Sequence, residues 1–118
     1  MDQYNWATIP REEMNAKTVR QAIHTERMTI AKILLRQGAV VPMHHHENEQ
    51  VTMLQSGALR FVFGGAQEGK EVIVRTGDVL QIPPNVPHMV EALEDSQATD
   101  LFSGRREDWI SGDDAYLR

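Results

Sequence analysis

Cysteine is absent from this sequence of 118 residues. Its absence excludes disulfide bonds and thiolate metal sites, so any bound metal must have nitrogen and oxygen ligands. Long apolar runs are also missing, since no stretch approaches the roughly 18 consecutive apolar residues that a membrane span needs. A secretory signal has a basic start followed by an apolar run, and the N-terminus does not show this pattern. We therefore expect a cytoplasmic protein that has no membrane partner.

Positive charge is sparse and scattered along the chain. The sequence has 12 Lys and Arg against 17 Asp and Glu, which gives a net charge of -5. Nucleic-acid binding needs a clustered basic surface, and no run of Lys or Arg supplies one. We expect no nucleic-acid partner, although a single cation could still bind a small anion.

Long repeats and low-complexity tracts are absent as well, and short apolar runs alternate with Gly and Pro. A chain of this length, with 41% hydrophobic residues, can bury roughly two-thirds of its unfolded surface in one domain. Short strands at regular spacing predict an all-β sandwich or small barrel. We predict strands at residues 19–24, 28–35, 50–55, 59–63, 71–75, 79–82, 88–92 and 99–102. Residues 11–17 have room only for a turn of helix.

A histidine-rich segment, GAVVPMHHHENEQVTMLQSG, predicts a metal site. If the chain is extended there, side chains alternate between faces, so His44 and His46 point to one side and His45 to the other. A turn then returns Gln50 on the neighbouring strand, and His88 follows a proline-rich turn downstream. Three imidazoles and one amide oxygen suit a divalent ion and leave positions open for water or substrate.

Gln50 favours one kind of metal chemistry over another. Because its amide is neutral, the ion keeps its full double charge toward whatever binds in the open positions. Such an ion is a stronger Lewis acid and a better site for an anionic substrate. It is less suited to the higher oxidation state that oxygen-activating iron sites reach, so we expect non-redox chemistry.

The two motifs resemble the signature of the cupin family, whose fold is a jelly-roll barrel, also called a double-stranded β-helix. The matching positions are Gly38, His44, His46, Gln50 and Gly57 in the first motif, and Gly77, Pro83, Asn85 and His88 in the second. The sequence departs from the family pattern at three positions. Asn85 stands where the family usually has glycine, Ala92 where it often has asparagine, and Gln50 where it usually has glutamate. Asn tolerates a positive φ better than most residues, so we expect the turn at Asn85 to survive. We expect a single cupin domain, with the barrel at about 18–103, a lead-in at 1–17 and a tail at 104–118.

The C-terminal segment contains a second set of polar residues. In a strand over residues 99–102, Asp100 and Phe102 share a face, but alternation alone leaves an inward and an outward Asp100 equally open. Arg105 and Glu107 are expected in a solvated turn, with Trp109 closing the end of the barrel.

A narrower resemblance connects this tail with the first motif. The glutamine of that motif, together with the Asp-Leu-Phe and Arg-Glu-Asp-Trp segments, is similar to the pectin-degradation cupins that linearise unsaturated uronates. The resemblance implies that His44, His46, Gln50 and His88 bind one divalent metal (Ni, Zn, Mn or Fe), and that Asp100, Phe102 and Arg106 line the active site. The implied enzyme opens the ring of a small anionic sugar acid, a 4,5-unsaturated uronate, and ketonises it to a linear sugar. Asp100 would then act as general acid and base.

Other functions are compatible with the same motifs. They are an Fe or Mn dioxygenase, a lyase resembling the manganese hydroxynitrile lyases, and a non-catalytic sugar-binding cupin, since a fold does not fix an activity. An edge strand at 18–24, together with Trp6, predicts a homodimer. No function is assigned to His24, His45 or Arg105.

Overall fold

Two antiparallel sheets form the protein, as a computed structural model that describes residues 1–118 shows. The prediction of an all-β fold is therefore confirmed. The ten strands are β1 (Glu12–Asn15), β2 (Thr18–His24), β3 (Met28–Leu35), β4 (Val40–His44), β5 (Gln50–Ser56), β6 (Ala58–Phe63), β7 (Glu71–Arg75), β8 (Val79–Ile82), β9 (His88–Ala92) and β10 (Ser96–Ser103).

The strands divide between a larger and a smaller sheet. The six-stranded sheet has the order β1-β2-β3-β10-β5-β8, and the four-stranded sheet has the order β4-β9-β6-β7. Apolar side chains from both sheets meet in one buried cluster, with Leu54, Ile82 and Ala98 on one side and Phe61 and Val90 on the other. Alternating burial along each strand produces this core, because every second side chain faces the opposite sheet.

Two strands lie outside the eight that we predict from the apolar runs. Residues 11–17, where we expected at most a helical turn, contain β1, which pairs with β2 at Glu12↔Arg20. A four-residue strand with one buried apolar side chain, Met14, has no readable alternation, so its pairing with β2 decides its conformation. The other strand is β4, which carries His44 and contains a proline.

The prediction that residues 18–24 form an edge strand is also wrong in part. β1 covers Thr18, Val19 and Arg20, so β1 is the outer strand of the larger sheet. The homodimer that we expected from this edge stays a prediction.

The turn before β9 confirms the expectation for Asn85. Its φ is 62°, and it is the one non-glycine residue with a positive φ. The backbone N–H of Asn85 donates to the carbonyl of His46 at 2.8 Å. The second motif is thereby fixed against the first.

The C-terminal tail folds back onto the barrel. It contains a helix, α1 (Glu107–Ser111), and a short 3-10 helix at Ala115–Leu117. Trp109 is buried against Phe102, with the two ring centroids 5.2 Å apart. The longest helix, α1, has five residues, so no helix could cross a bilayer.

Candidate metal and substrate site

The side chains of His44, His46 and His88 converge at one end of the barrel. One ring nitrogen from each lies within 4.8 Å of the others. His44 ends β4 and lies directly opposite His88, the first residue of β9. His46 follows in the loop after β4, and His45 between them is exposed, as side-chain alternation predicts.

A backbone carbonyl two residues away orients each of the three imidazoles. The Nδ1 atoms lie 2.8 Å from the carbonyl of Pro42, 2.9 Å from that of Asn48 and 2.8 Å from that of Val86. A carbonyl only accepts, so each Nδ1 carries the proton and donates it. The Nε2 atom of each neutral ring is left with its lone pair, which is the form that binds metals.

The pKa values of these histidines keep them neutral. Burial, followed by the charge of the neighbouring His88, lowers the pKa of His44 to about 3. Burial, followed by the charge of Arg106, lowers the pKa of His46 to about 4. Burial also lowers the pKa of His88. None of the three rings needs to lose a proton before binding a cation at neutral pH.

Gln50 reaches the same point from the other sheet. It begins β5 of the six-stranded sheet, whereas His44 and His88 belong to the four-stranded sheet. The prediction that Gln50 returns on a strand adjacent to the histidines is therefore wrong. The connecting loop crosses between the sheets because Asn48 is buried and donates to the carbonyls of Ser103, Gly104 and Arg105 at 2.9–3.2 Å.

The atoms that these residues present fit a divalent cation. The Oε1 atom of Gln50 lies 3.1 Å from Nε2 of His46. Because the Nδ1 atom of His46 holds the proton, these are two acceptors facing each other, an arrangement that a cation between them stabilises. Two ligands at right angles, each about 2.1 Å from one metal ion, lie roughly 3 Å apart.

Asp100 faces inward, which decides the orientation that the sequence left open. It lies opposite Thr52 across the β5–β10 ladder, and the hydroxyl of Thr52 donates to its Oδ1 atom at 2.7 Å. The same hydroxyl accepts from Nε2 of Gln50 at 2.9 Å. Burial raises the pKa of Asp100 to about 6, although the hydrogen bond from Thr52 acts in the opposite direction.

Thr52 is a site residue that our sequence reasoning missed. The signal was available, because Thr52 lies two positions after Gln50 in a strand and therefore faces the same way. A threonine in a strand is so ordinary that nothing singled it out before its partners were known.

Arg106 is buried beside the site and is almost fully paired. Its side chain is 2% exposed. Its Nε and Nη2 atoms donate to both carboxylate oxygens of Asp108 at 3.0 and 2.8 Å, and Nη2 also donates to the hydroxyl of Tyr116. The guanidinium carbon lies 4.8 Å from the ring centroid of Phe102 and 4.3 Å from that of Trp109. These contacts leave Nη1 as the group without a protein partner.

The predicted active-site residues surround one cavity. It has a volume of about 70 Å³ and lies between the two sheets. Its polar lining consists mainly of His44, Gln50, Thr52, His88, Asp100 and Arg106, with Phe102 and Tyr116 as aromatic walls. The ring of Phe102 also contacts that of His46 edge-on, with 5.6 Å between the centroids.

His24 and Arg105 lie outside this cavity. The Nδ1 atom of His24 is 2.7 Å from the hydroxyl of Thr29, which also accepts from the backbone N–H of Arg106. Arg105 pairs with Glu107 at 3.5 Å. Their contacts support the tail rather than the site.

Comparisons with known proteins agree with this fold. The family model described as a cupin domain matches residues 32–103. KdgF from Halomonas sp. superposes with a TM-score of 0.80 and 27% identity, over 92% of this chain and 99% of that one. An RmlC-like cupin from Shewanella frigidimarina gives a TM-score of 0.80 at 23% identity, over 90% and 93% of the two chains.

A larger protein contains the same fold as part of its chain. Oxalate decarboxylase from Bacillus subtilis matches with a TM-score of 0.75 and 18% identity, over 92% of this chain but 32% of its own. No curated protein sequence matches this one.

Proposed function

Because the chain belongs to the cupin family, we propose that it is a metal-dependent enzyme that converts 4,5-unsaturated uronates into linear keto sugars. One observation carries the proposal: His44, His88 and Gln50 line one cavity together with the inward carboxylate of Asp100 and the buried Arg106. His46 converges with the other two histidines and completes a neutral N3O donor set. The resemblance of the sequence to the pectin-degradation cupins supports it. So does the 27% identity with KdgF, which extends over nearly the whole of both chains.

His44, His46, His88 and Gln50 would hold the metal. All four donors are neutral, so a divalent ion bound there would supply an undiminished double charge as a Lewis acid toward the carboxylate and ring oxygens of the substrate. Nickel, zinc, manganese and iron all accept such a set, and supply in the cell often decides among them.

Asp100 is the group that would move protons. With a pKa of about 6 it lies close to neutrality, where a carboxyl group works efficiently as both base and acid. As base it would take the proton of the C1 hydroxyl while the C1–O5 bond of the ring breaks. Breaking that bond leaves O5 as an enolate. As acid Asp100 would return the proton to C4, so that the enolate at C5 becomes a ketone. The net reaction is an isomerisation and needs no oxidant.

Arg106 and Phe102 would position the sugar. The Nη1 atom of Arg106 is the donor that Asp108 and Tyr116 leave free, and it suits one oxygen of the uronate carboxylate. Phe102 is buried between the metal-binding His46 and Trp109, so it forms a fixed wall of the pocket.

The proposal is tested by combining elemental analysis of the purified protein with a turnover assay. The protein is incubated with freshly prepared unsaturated galacturonate or mannuronate, and the ultraviolet absorbance of the conjugated double bond is followed. We expect the absorbance to fall faster than in a sample stripped of metal by a chelator, with no oxygen consumed.

Three results would contradict the proposal, and each favours an alternative. Oxygen uptake with a diketone or phenol would indicate a dioxygenase. Turnover of a cyanohydrin but not of a uronate would indicate a lyase of the hydroxynitrile type. Saturable sugar binding without chemical change would indicate a binding protein.

A further inference from the structure

We propose that Thr52 is a positioning residue that fixes the amide of Gln50 so that its oxygen, and not its nitrogen, faces the three histidines. This inference rests on the proposed metal site and adds to it the residue that makes a glutamine usable there. It concerns the shape of the amide and its hydrogen-bond partners.

A glutamine ligand has an ambiguity that a glutamate ligand lacks. The oxygen and the NH2 group of an amide are nearly equal in size, so a half-turn exchanges them with little change in packing. In one orientation the oxygen can bind a cation, and in the other an NH2 group faces the cation and repels it. A carboxylate presents an oxygen in both orientations. A cupin with Gln50 in the glutamate position therefore needs a partner that selects one orientation.

The hydrogen bonds around Thr52 make that selection. A threonine hydroxyl has one proton, and Thr52 donates it to Oδ1 of Asp100 at 2.7 Å, because an ionised carboxylate can only accept. The hydroxyl oxygen is then left as an acceptor. It receives an N–H of the Gln50 amide at 2.9 Å, which turns the amide oxygen toward Nε2 of His46.

Burial prevents water from replacing these contacts. Gln50 is 6% exposed and Thr52 is 1% exposed. The three residues also lie on the central strands β5 and β10, where Thr52 and Asp100 are direct ladder partners. Rigid strands hold the donor and acceptor positions fixed, as a ligand-orienting contact requires.

The test is a double-mutant cycle of metal affinity, measured by titrating Ni²⁺ or Zn²⁺ into metal-free protein in a calorimeter. We expect Thr52→Val, which keeps the shape and removes the hydroxyl, to weaken binding by about 10- to 100-fold. Thr52→Ser should stay within about threefold of the wild type, since it keeps the hydroxyl. Thr99→Val is the matched control, because Thr99 is a neighbouring strand residue whose hydroxyl contacts Gln55 on the exposed face.

The second side of the cycle uses Gln50→Glu. A carboxylate needs no orienting partner, so Thr52→Val should weaken binding by no more than about threefold in the Gln50→Glu background. Equal losses in the two backgrounds would show a packing defect and overturn the proposal.

The proposal and the metal site can fail separately. If the wild type binds metal, Gln50→Ala weakens binding and Thr52→Val leaves it unchanged, the orienting function of Thr52 is wrong while the metal site stands. If the wild-type protein binds none of these ions, the metal site and the function of Thr52 are both wrong.

Discussion

The two halves of the candidate site are held in different ways. Each histidine of the metal-binding half is oriented by a backbone carbonyl two residues away in the sequence. In the other half, Asp100 is held by Thr52, 48 positions earlier, and Arg106 by Asp108, two positions later, and Tyr116, ten positions later. The histidines are fixed by local backbone geometry, whereas Asp100 and Arg106 depend on side chains, some of them distant in the sequence.

This difference has a physical consequence. A carbonyl anchor is supplied by the chain whatever its side chains are, so the histidines keep their orientation when distant residues change. Side-chain anchors can be removed by one substitution, and buried networks of this kind respond strongly to the loss of one member. The three histidines should therefore tolerate changes in the other half, whereas Gln50 depends on Thr52. The following predictions test the independence of the histidines.

The largest expected effect is on turnover, from Asp100→Asn. The amide can still accept the proton of Thr52, so the contacts of Gln50 remain, but it cannot exchange a proton with the substrate. We expect the rate of uronate turnover to fall by about 10²- to 10⁴-fold. Metal affinity measured by calorimetry should stay close to that of the wild type. Asp95→Asn, at an exposed turn, is the control, and near-native turnover by Asp100→Asn would show that another group moves the proton.

The second prediction concerns the histidines, because His88→Ala removes one of the candidate metal donors. We expect metal affinity to fall by at least about 100-fold, because a lost ligand costs more than a lost contact to a ligand. His45→Ala is a matched control, since His45 belongs to the same histidine run as the ligands but is exposed. Elemental analysis after dialysis measures both variants. An equal loss of metal from His45→Ala would contradict the assignment of inward and outward histidines.

The same distinction explains what the sequence predicts and what it does not. Strand alternation predicts the convergence of His44 and His46 and the exposure of His45, because it depends only on adjacent residues. The left-handed turn at Asn85 is predictable for the same reason. Four of the predicted strands, among them Met28–Leu35 and His88–Ala92, have the bounds that the structure shows.

Features that depend on distant contacts were missed, misplaced or left open by strand alternation. The sheet to which Gln50 belongs depends on how Asn48 binds the carbonyls of Ser103, at the end of β10, and of Gly104 and Arg105 in the tail. The inward orientation of Asp100 depends on its register against Thr52, and the pairing of Arg106 depends on Tyr116. None of these contacts leaves a periodic pattern in the sequence, so strand alternation could not decide between the alternatives.

An effect of intermediate size is expected where the tail docks onto the barrel. Asp114 is buried and accepts from Nη2 of Arg20 at 2.8 Å, and Arg20 is itself 3% exposed. Asp114→Ala leaves the guanidinium of Arg20 with one ion-pair partner, the half-exposed Glu12. Loss of one partner of a buried ion pair lowers the free energy of unfolding by roughly 3–5 kcal/mol. For Asp114→Ala we expect a loss of about 2 kcal/mol, because Glu12 stays paired with Arg20.

Urea unfolding of Asp114→Ala measures this cost, with Asp113→Ala as the control because Asp113 is an exposed neighbour. Metal affinity should not change in the folded protein, since the carboxylate of Asp114 pairs with Arg20 and Arg118 and with no histidine. A stability equal to that of the wild type would mean that Arg20 is satisfied without the tail.

The smallest expected effect comes from Tyr116→Phe, which loosens one anchor of Arg106. The hydroxyl of Tyr116 accepts from Arg106 and donates to Asp108 at 2.9 Å, while its ring lies 5.0 Å from that of His44. Phenylalanine keeps the ring and removes both hydrogen bonds, but Asp108 still holds the guanidinium in two places. We expect KM for the uronate to rise about fivefold, equivalent to roughly 1 kcal/mol, with little change in kcat. Tyr4→Phe, at an exposed tyrosine, is the control. A fall in metal affinity instead of a rise in KM would mean that the tail supports the histidines, and the two halves of the site would then not be independent.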